Sequence, residues 1–313
     1  MKKFDIDLVY LWCDGHDAVF AQQRHNRMQQ CGISTNGNED CRYVQVDELK
    51  YSLRSVTMYM PWIHHVYIVT NNQVPKWFRQ HEKITIVDHS EILPETARPC
   101  FNSQALECCL HKIPNLAEHF IYANDDCFVG RKITPNFFYK RMGKPIVRWE
   151  KAIPCETLYW HTIQASHDII KQRYGISYDG YQPHHNMDAY TKTILLECEN
   201  EFPELFQHTI HQPFRNKTCL QRILFLLYAL VKKRAVMKDI SRTFFQRAMK
   251  RLHLAFLDSM VESNHSPLNH IAPYHPALFC INDCEVATDE DRTRALRFLE
   301  TRFPVKSPFE QEI

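Results

Sequence analysis

Glycine is scarce in this sequence: 7 of its 313 residues, far below the average of about 7%. Few positions therefore offer the bare backbone that wraps around a phosphate group. Gly32 and Gly37 have the GxxxxG spacing, but Asn38 and Glu39 follow where a nucleotide-binding loop needs Lys and Ser/Thr. The sequence also contains no GxGxxG segment. These absences exclude Walker-type NTPases and dinucleotide-binding oxidoreductases.

We also expect no disulfide framework, no secretory signal at the N-terminus and no membrane-spanning run. The 12 cysteines include no CxxC pair, and Cys280 and Cys284 fit no standard zinc spacing. Residues 1–7 hold two lysines and no apolar stretch. The longest apolar run, Ile223–Val231, is far shorter than the ~20 residues that span a bilayer. We therefore expect a cytoplasmic protein that is soluble or peripheral on the inner face of the cell membrane.

Positive charge is concentrated in one segment. The formal net charge is only +2, but Arg215–Arg251 contains eleven Lys/Arg and one acid, Asp239. Such a segment is often a solvated helical face. Because the apolar run Ile223–Val231 precedes the basic residues 232–234, contact with an anionic membrane or a polyanionic ligand is the alternative. No nucleic-acid-binding motif accompanies the charge, so nucleic acid ranks last.

Strands and helices alternate along the first half of the chain. The apolar patterns predict the strands Phe4–Trp12, His65–Val69, Ile84–Val87 and Phe120–Ala123 and the helices Glu48–Met60 and Phe101–His111. This order is typical of an α/β fold with a mainly parallel sheet and helices on both faces.

The second half is less regular. It predicts a helix over Ala189–Glu199, two basic helices between Lys217 and Leu254, and a last helix that opens with a capping box at Thr288. We expect a core over residues 1–216, a basic helical insertion over 217–265, and a C-terminal segment over 266–313 that completes the core.

Acidic residues follow two of the predicted strands. Asp125 and Asp126 come directly after Phe120–Ala123 and Asn124, and Asp14 follows the first strand. The carboxyl ends of parallel strands form the usual binding edge of such a sheet, and carboxylate oxygens suit hard cations. An Asx turn that merely ends the strand is the alternative for the Asp pair. Two acidic strand ends in one sheet favour a metal and phosphate site.

Histidine and arginine supply two further kinds of chemistry. His184 and His185 are adjacent, and a neutral imidazole accepts a hydroxyl proton near pH 7. Most of the 18 histidines are nevertheless expected to be ordinary surface or core residues. His211 and Arg215 form a second polar cluster, in which the guanidinium is able to hold a phosphate with two parallel hydrogen bonds.

Four blocks of sequence together carry a resemblance that no single motif does. They are Asp5–Asp17; Arg42–Tyr43, Asp47–Val56, Pro61–Trp62, Tyr67–Trp77 and Phe101–Asp126; His184–His185 through Phe202–Phe206 to His211–Arg215; and Cys280–Asp283 with Phe303–Glu310. In this order they resemble the Stealth family of bacterial capsule sugar-phosphate transferases, which are similar to the animal lysosomal-enzyme N-acetylglucosamine-1-phosphotransferase. Val44-Gln45-Val46 and Gln212-Pro213 depart from the family pattern.

The resemblance implies a Rossmann-like or GT-A-like sheet and transfer of a sugar-1-phosphate. The donor would be a nucleotide sugar, UDP-linked, the acceptor a glycan hydroxyl, and the released product a nucleoside monophosphate. It implies Mg²⁺ or Mn²⁺ on Asp125 and Asp126, and a base at His185 or His184. The remaining implied site residues are Arg215 on the phosphoryl group and the substrate-binding residues Asp14, Glu48, Arg54, Asn102 and His211. Of these, Asp14, Arg54 and Asn102 would help to seat the nucleotide or to orient the other site residues.

Two other functions remain open from the sequence. A conventional metal-dependent glycosyltransferase would use the same acidic strand end, attack the sugar carbon and release UDP. A non-catalytic glycan- or polyanion-binding protein would bind through the basic helices, and its acids would be structural.

Overall fold

A computed structural model of the chain describes residues 4–33, 39–152, 155–257 and 275–311. Residues 258–265 of the predicted insertion, and Gly37 with Asn38, lie outside these ranges. Within them, no helix is both long and apolar enough to cross a bilayer.

A five-stranded sheet forms the centre of the fold, in the order β3-β2-β1-β4-β8. The strands β3, β2, β1 and β4 are parallel to one another, and β8 lies at the edge of the sheet, antiparallel to β4. The strands are β1 (Ile6–Leu11), β2 (Val66–Thr70), β3 (Ile84–Asp88), β4 (His119–Asn124) and β8 (Asp188–Thr191). The predicted α/β fold with a mainly parallel sheet is confirmed.

Two smaller sheets extend the structure, with the orders β10-β11-β5 and β7-β6-β9. Their strands are β5 (Cys127–Val129), β6 (Ile146–Lys151), β7 (Tyr181–Pro183), β9 (Val236–Asp239), β10 (Leu254–Leu257) and β11 (Leu278–Ile281). Because β5 directly follows the turn after β4, the β10-β11-β5 sheet lies against the carboxyl edge of the central sheet.

Helices cover both faces of the central sheet. In β1, Val9 packs into one apolar core and its neighbours Leu8 and Tyr10 into the other, as alternation along a strand requires. The helices are α1 (Ala18–Cys31), α2 (Glu48–Tyr59), α3 (His89–Ile92), α4 (Ser103–Glu107), α5 (Leu158–Tyr174), α6 (Lys192–Glu201), α7 (Pro203–Ile210), α8 (Ile223–Val231), α9 (Phe244–His253) and α10 (Asp289–Arg302). The predicted capping box at Thr288 opens α10.

Three elements differ from the sequence prediction. Ala18–Cys31, where no helix or strand was predicted, forms the exposed helix α1, which buries Phe20. The predicted helix Ala189–Glu199 is split into β8 and α6, because Tyr190 pairs with Phe120 in the central sheet. The segment predicted as two basic helices contains α8, β9, α9 and β10, and its apolar residues from Ile223 to Ala229 are buried in the core.

Candidate active site

Two strand ends bring the predicted acidic residues side by side. Strands β1 and β4 are neighbours in parallel register, with Leu11 opposite Asn124. The residues that follow each strand, Trp12–Asp14 and Asp125–Asp126, therefore leave the sheet at the same edge. The backbone of Asp14 is fixed there by Gln73, whose side chain bonds its N–H at 3.0 Å and its carbonyl at 2.9 Å.

Gln45 connects these two strand ends. Its amide oxygen accepts a hydrogen bond from Trp12 Nε1 at 2.9 Å, and its Nε2 donates to Asp125 Oδ2, also at 2.9 Å. One glutamine thus sets the orientation of the Asp125 carboxylate relative to β1. From the sequence, Gln45 is only part of a departure from the family pattern, and no role was predicted for it.

Three carboxyl groups share this edge: Glu48, Asp125 and Asp126. Burial, reinforced by the charges of Asp125 and Asp126, raises the pKa of Glu48 to about 8. Burial and the Asp125 charge raise the pKa of Asp126 to about 7. Burial also raises the pKa of Asp125. The carboxylates repel one another and are poorly hydrated, so the edge is suited to a cation that neutralises them.

The basic half of the site lies on the loop after α7. Arg215 Nη2 donates to Ser103 Oγ at 2.7 Å, at the start of α4. Asn102 is fully buried, caps α4, and donates from Nδ2 to the carbonyls of Gln212 at 3.0 Å and Phe214 at 3.3 Å. Asn102 therefore holds the loop that carries Arg215.

His185 lies beside two arginines. Arg222 Nη2 is 3.5 Å from His185 Nδ1, and the same guanidinium forms a buried ion pair with Asp188 at 3.0 Å. Burial, with the positive charges of Arg222 and Arg215 and the neighbouring His184 ring, holds the pKa of His185 well below its usual value. The imidazole is therefore neutral at physiological pH and carries an unprotonated ring nitrogen.

His184 occupies a different environment. Its ring lines a small cavity with Arg148, Asn186 and Leu254, and only 4% of the residue is exposed. Asn186 Nδ2 lies 3.3 Å from His184 Nδ1. Burial and the charges of Lys250 and Arg148 lower the pKa of His184 to about 3. Of the two adjacent histidines, only His185 is electrostatically coupled to Arg215.

Cys13 interacts electrostatically with both halves of the site. Burial and the charge of Asp125, opposed by the charge of Arg215, raise the pKa of its thiol to about 12. The charges of Asp125 and Arg215, which come from distant parts of the sequence, therefore both act at this residue just after β1.

Two predicted substrate residues are placed elsewhere. The Arg54 guanidinium is paired with the Glu310 carboxylate by bonds of 2.9, 3.1 and 2.6 Å and also donates to the Phe303 carbonyl. It fastens α2 to the C-terminal segment, and its predicted substrate role stays a prediction. His211 is exposed and contacts Thr96 and the Gln207 carbonyl. Neither residue joins the acidic or the basic half.

Sequence reasoning missed Gln45, Arg222 and Asp188 as parts of the site. Arg222 was counted only as one charge of the basic segment, although it is 4% exposed and ion-paired. Its position directly before the apolar helix α8 was the available signal, because an arginine next to a buried run needs an acidic partner.

A conserved-region model of one family matches the chain. Residues 42–147 fit "Stealth protein CR2, conserved region 2", and this range contains Gln45, Glu48, Asn102, Asp125 and Asp126. The match places the acidic half and α4 within a recognised family segment.

Named relatives match nearly the whole chain. The exopolysaccharide phosphotransferase CpsY of Mycobacterium tuberculosis is 32% identical over 98% of this chain and 58% of its own length. The capsular polysaccharide phosphotransferase LcbA of Neisseria meningitidis is 43% identical over 46% of this chain and 40% of its own length. The protein is thus of the α/β class with an acidic and basic site at the sheet edge, and it belongs to the Stealth family.

An exopolysaccharide phosphotransferase of Streptomyces coelicolor is 33% identical over 99% of this chain and 53% of its own length. The chain therefore spans somewhat more than half the length of this relative and of CpsY. A solved structure of the galactosyltransferase LgtC, in complex with donor and acceptor sugar analogs, aligns with 96% of both chains at 12% identity and a TM-score of 0.44. That value is too low to support a functional comparison.

Proposed function

We propose that this chain is a phosphotransferase of cell-surface polysaccharide synthesis that moves a sugar-1-phosphate from a nucleotide sugar, UDP-linked, to a glycan hydroxyl. The observation that carries the proposal is that the Asp125 carboxylate and the Arg215 guanidinium both act electrostatically on Cys13, just after β1 at the carboxyl edge of the central sheet. Phosphoryl transfer needs both kinds of group, because the donor pyrophosphate and the developing charge must be neutralised. The names of the family relatives support the same class of reaction.

In the proposed reaction, the acceptor hydroxyl oxygen attacks the sugar-proximal phosphorus of the donor. The new P–O bond forms as the bond to the bridging oxygen breaks, and the nucleoside monophosphate leaves with that electron pair. The hydroxyl proton passes to His185. Atoms and charge are conserved, and the product is a phosphodiester between sugar and glycan.

Asp125, Asp126 and Glu48 would hold Mg²⁺ or Mn²⁺. Their oxygen atoms suit these hard cations, and burial raises the pKa of all three groups, so a bound cation would offset the cost of ionising them. When bound, the cation would neutralise charge on the donor pyrophosphate. Asp14, at the neighbouring strand end, would face the donor from the β1 side.

Arg215 would hold the transferred phosphoryl group, because a guanidinium presents two parallel N–H donors to a phosphate. The same charge, together with that of Arg222, keeps His185 neutral and able to accept a proton. An anionic donor placed beside these arginines would offset their charge and so favour the imidazolium that forms on proton transfer. Substrate binding and base strength are thus linked.

The test is to identify the nucleotide that is released. The purified chain is incubated with a panel of nucleotide sugars, Mg²⁺ or Mn²⁺ and glycan acceptors. Acceptor-dependent release of UMP from a UDP-sugar is the expected result. Release of UDP would instead show a conventional glycosyltransferase, and glycan binding without turnover would show a non-catalytic binding protein.

We further propose contact between the chain and an anionic surface, the inner membrane leaflet or a phosphoglycan. The apolar residues from Ile223 to Ala229 take no part, because they lie in the core. Lys232 and Arg234 are engaged by Glu201 and Glu197. Five other exposed basic residues form what we call the basic surface: Lys140, Arg141, Lys144, Lys233 and Lys238.

One hydrogen bond and one electrostatic interaction link parts of the basic surface. Lys144 Nζ donates to the Lys233 carbonyl at 2.9 Å. Burial, with the charges of Arg148 and Lys140, lowers the pKa of Lys238. Met142, 92% exposed, lies at the tip of the same turn. A cationic surface with an apolar tip suits an anionic interface.

The proposed organisation keeps residues 1–216 as the catalytic core, 217–265 as the insertion and 266–313 as the closing segment. Contacts between the C-terminal segment and α2, through Glu310 and Arg54, support the closing role.

A further inference from the structure

Asp126, Cys127 and Cys280 form a cluster at the acidic edge. One ligand atom from each residue, a carboxylate oxygen and two sulfurs, lies within 4.8 Å of the other two. Cys127 Sγ is 3.5 Å from Asp126 Oδ1. Cys127 and Cys280 are fully buried, whereas Asp126 is half-buried.

The sheet register fixes the two sulfurs. Cys127 on β5 and Cys280 on β11 are directly opposite each other in an antiparallel pair. Side chains at such positions project from the same face of the sheet with their Cβ atoms about 4.5–5.5 Å apart. The thiols therefore face one another through the backbone arrangement itself, independently of any flexible loop.

The donor set differs in kind from that of the oxygen site. Sulfur selects thiophilic cations such as Zn²⁺, whereas Mg²⁺ prefers oxygen ligands and retains water. Around a tetrahedral zinc ion, with bonds of about 2.0–2.3 Å, neighbouring ligand atoms are roughly 3.5–4 Å apart. The spacing within the cluster, at most 4.8 Å, reaches this value with small side-chain rotations. Asp126 is half-buried, and water would supply the fourth ligand of a tetrahedral ion.

We propose that Asp126, Cys127 and Cys280 bind a thiophilic divalent cation such as Zn²⁺. On binding, each thiol releases its proton to solvent and both sulfurs ligate as thiolates. Because Asp126 also belongs to the oxygen site, occupancy by Zn²⁺ withdraws this carboxylate from it. Zn²⁺ is therefore an inhibitor of the Mg²⁺-dependent transfer; this last consequence rests on the proposed function, while the binding site itself does not.

The test uses Co²⁺ as a spectroscopic substitute for Zn²⁺ on the full chain, with thiols kept reduced by a phosphine. Thiolate ligation gives a sulfur-to-cobalt charge-transfer absorption, which oxygen ligation does not. We expect a saturable absorption at one Co²⁺ per chain that stoichiometric Zn²⁺ abolishes. Cys127→Ser and Cys280→Ser should each lose at least half of the absorption. Cys284→Ser, a matched control outside the cluster, should keep it.

Asp126→Asn provides a second variant if a buried serine prevents folding, which circular dichroism would reveal. It retains both thiols, so the absorption should remain while the apparent Co²⁺ affinity falls at least ~10-fold. Absence of a saturable absorption in the folded wild-type chain would overturn the proposal, and so would equal absorption in wild type and both folded cysteine variants. The two proposals are separable. If the saturable absorption is present and depends on both cysteines, but the chain turns over no nucleotide sugar, the metal site is upheld and the proposed function is refuted.

Discussion

Replacing Glu48 with Gln tests whether the acidic edge is a site of unrelieved negative charge. The pKa of Glu48 is about 8 in the folded chain, against an ordinary value of 4.5. The folded state therefore binds this proton more tightly than the unfolded state does. The associated stability is fully present below pH ~4.5 and is lost as the pH rises towards 8.

The magnitude follows from the size of the pKa shift. The rise from 4.5 to about 8 corresponds to at most ~5 kcal/mol by pH 8, since one pKa unit is about 1.4 kcal/mol. Asp125 and Asp126 contribute part of this cost, so we take ~2–3 kcal/mol as the share that Glu48→Gln recovers. The neutral amide still offers an oxygen to the Val46 N–H, which Glu48 accepts at 2.8 Å.

The assay is thermal unfolding in chelator at pH 5 and pH 8.5. We expect Glu48→Gln to raise Tm by roughly 4 °C at pH 8.5 and by less than ~1 °C at pH 5. Glu82→Gln, at an exposed site, is the control and should not alter Tm at either pH. Added Mn²⁺ should stabilise wild type more than the variant. An equal effect of Glu48→Gln at both pH values, or destabilisation at pH 8.5, would refute the electrostatic reasoning.

Four further predictions concern turnover and attachment. Asp126→Asn should abolish turnover with an unchanged circular dichroism spectrum; full wild-type activity in excess chelator would contradict the metal role. Arg215→Lys keeps the charge but loses the paired donors, so kcat/KM should fall ~100-fold, and wild-type kinetics would place the residue outside the site. His185→Ala should lower kcat ~100-fold, whereas His184→Ala should lower Tm and spare kcat; the reverse pattern would exchange their roles. Replacing Lys140, Arg141 and Lys144 with Gln should remove ~3 kcal/mol of binding to anionic vesicles, over 100-fold, and unchanged co-sedimentation at low salt would exclude the basic surface.

The sequence was sufficient for the parts of the fold that depend on local patterns. The spacing of Leu49, Leu53 and Val56 predicted α2, and all three are buried there. The strand ends at Asp14 and Asp125 were predictable because a parallel sheet places the carboxyl ends of neighbouring strands together.

Contacts between distant segments could not be predicted in the same way. The expected place of Arg54 near the substrate came from the family resemblance, and nothing in the local sequence shows that Glu310, 256 residues away, pairs with it. Ala189–Glu199 was predicted as one helix because β8 exists only through its pairing with β4. The two adjacent histidines were equivalent in sequence and are distinguished only by the arginines packed around each.

The fate of the sugar-proximal phosphorus tests the central claim most directly. A UDP-sugar that supports turnover is labelled with radioactive phosphorus at its β-phosphate, the one attached to the sugar. The labelled donor reacts with the wild-type chain or with Arg215→Lys, and the glycan product is then separated from the nucleotides. Sugar-1-phosphate transfer predicts that the label enters the glycan in step with UMP release, and more slowly in the variant. Label that stays with released UDP, while unlabelled sugar enters the glycan, would contradict the claim.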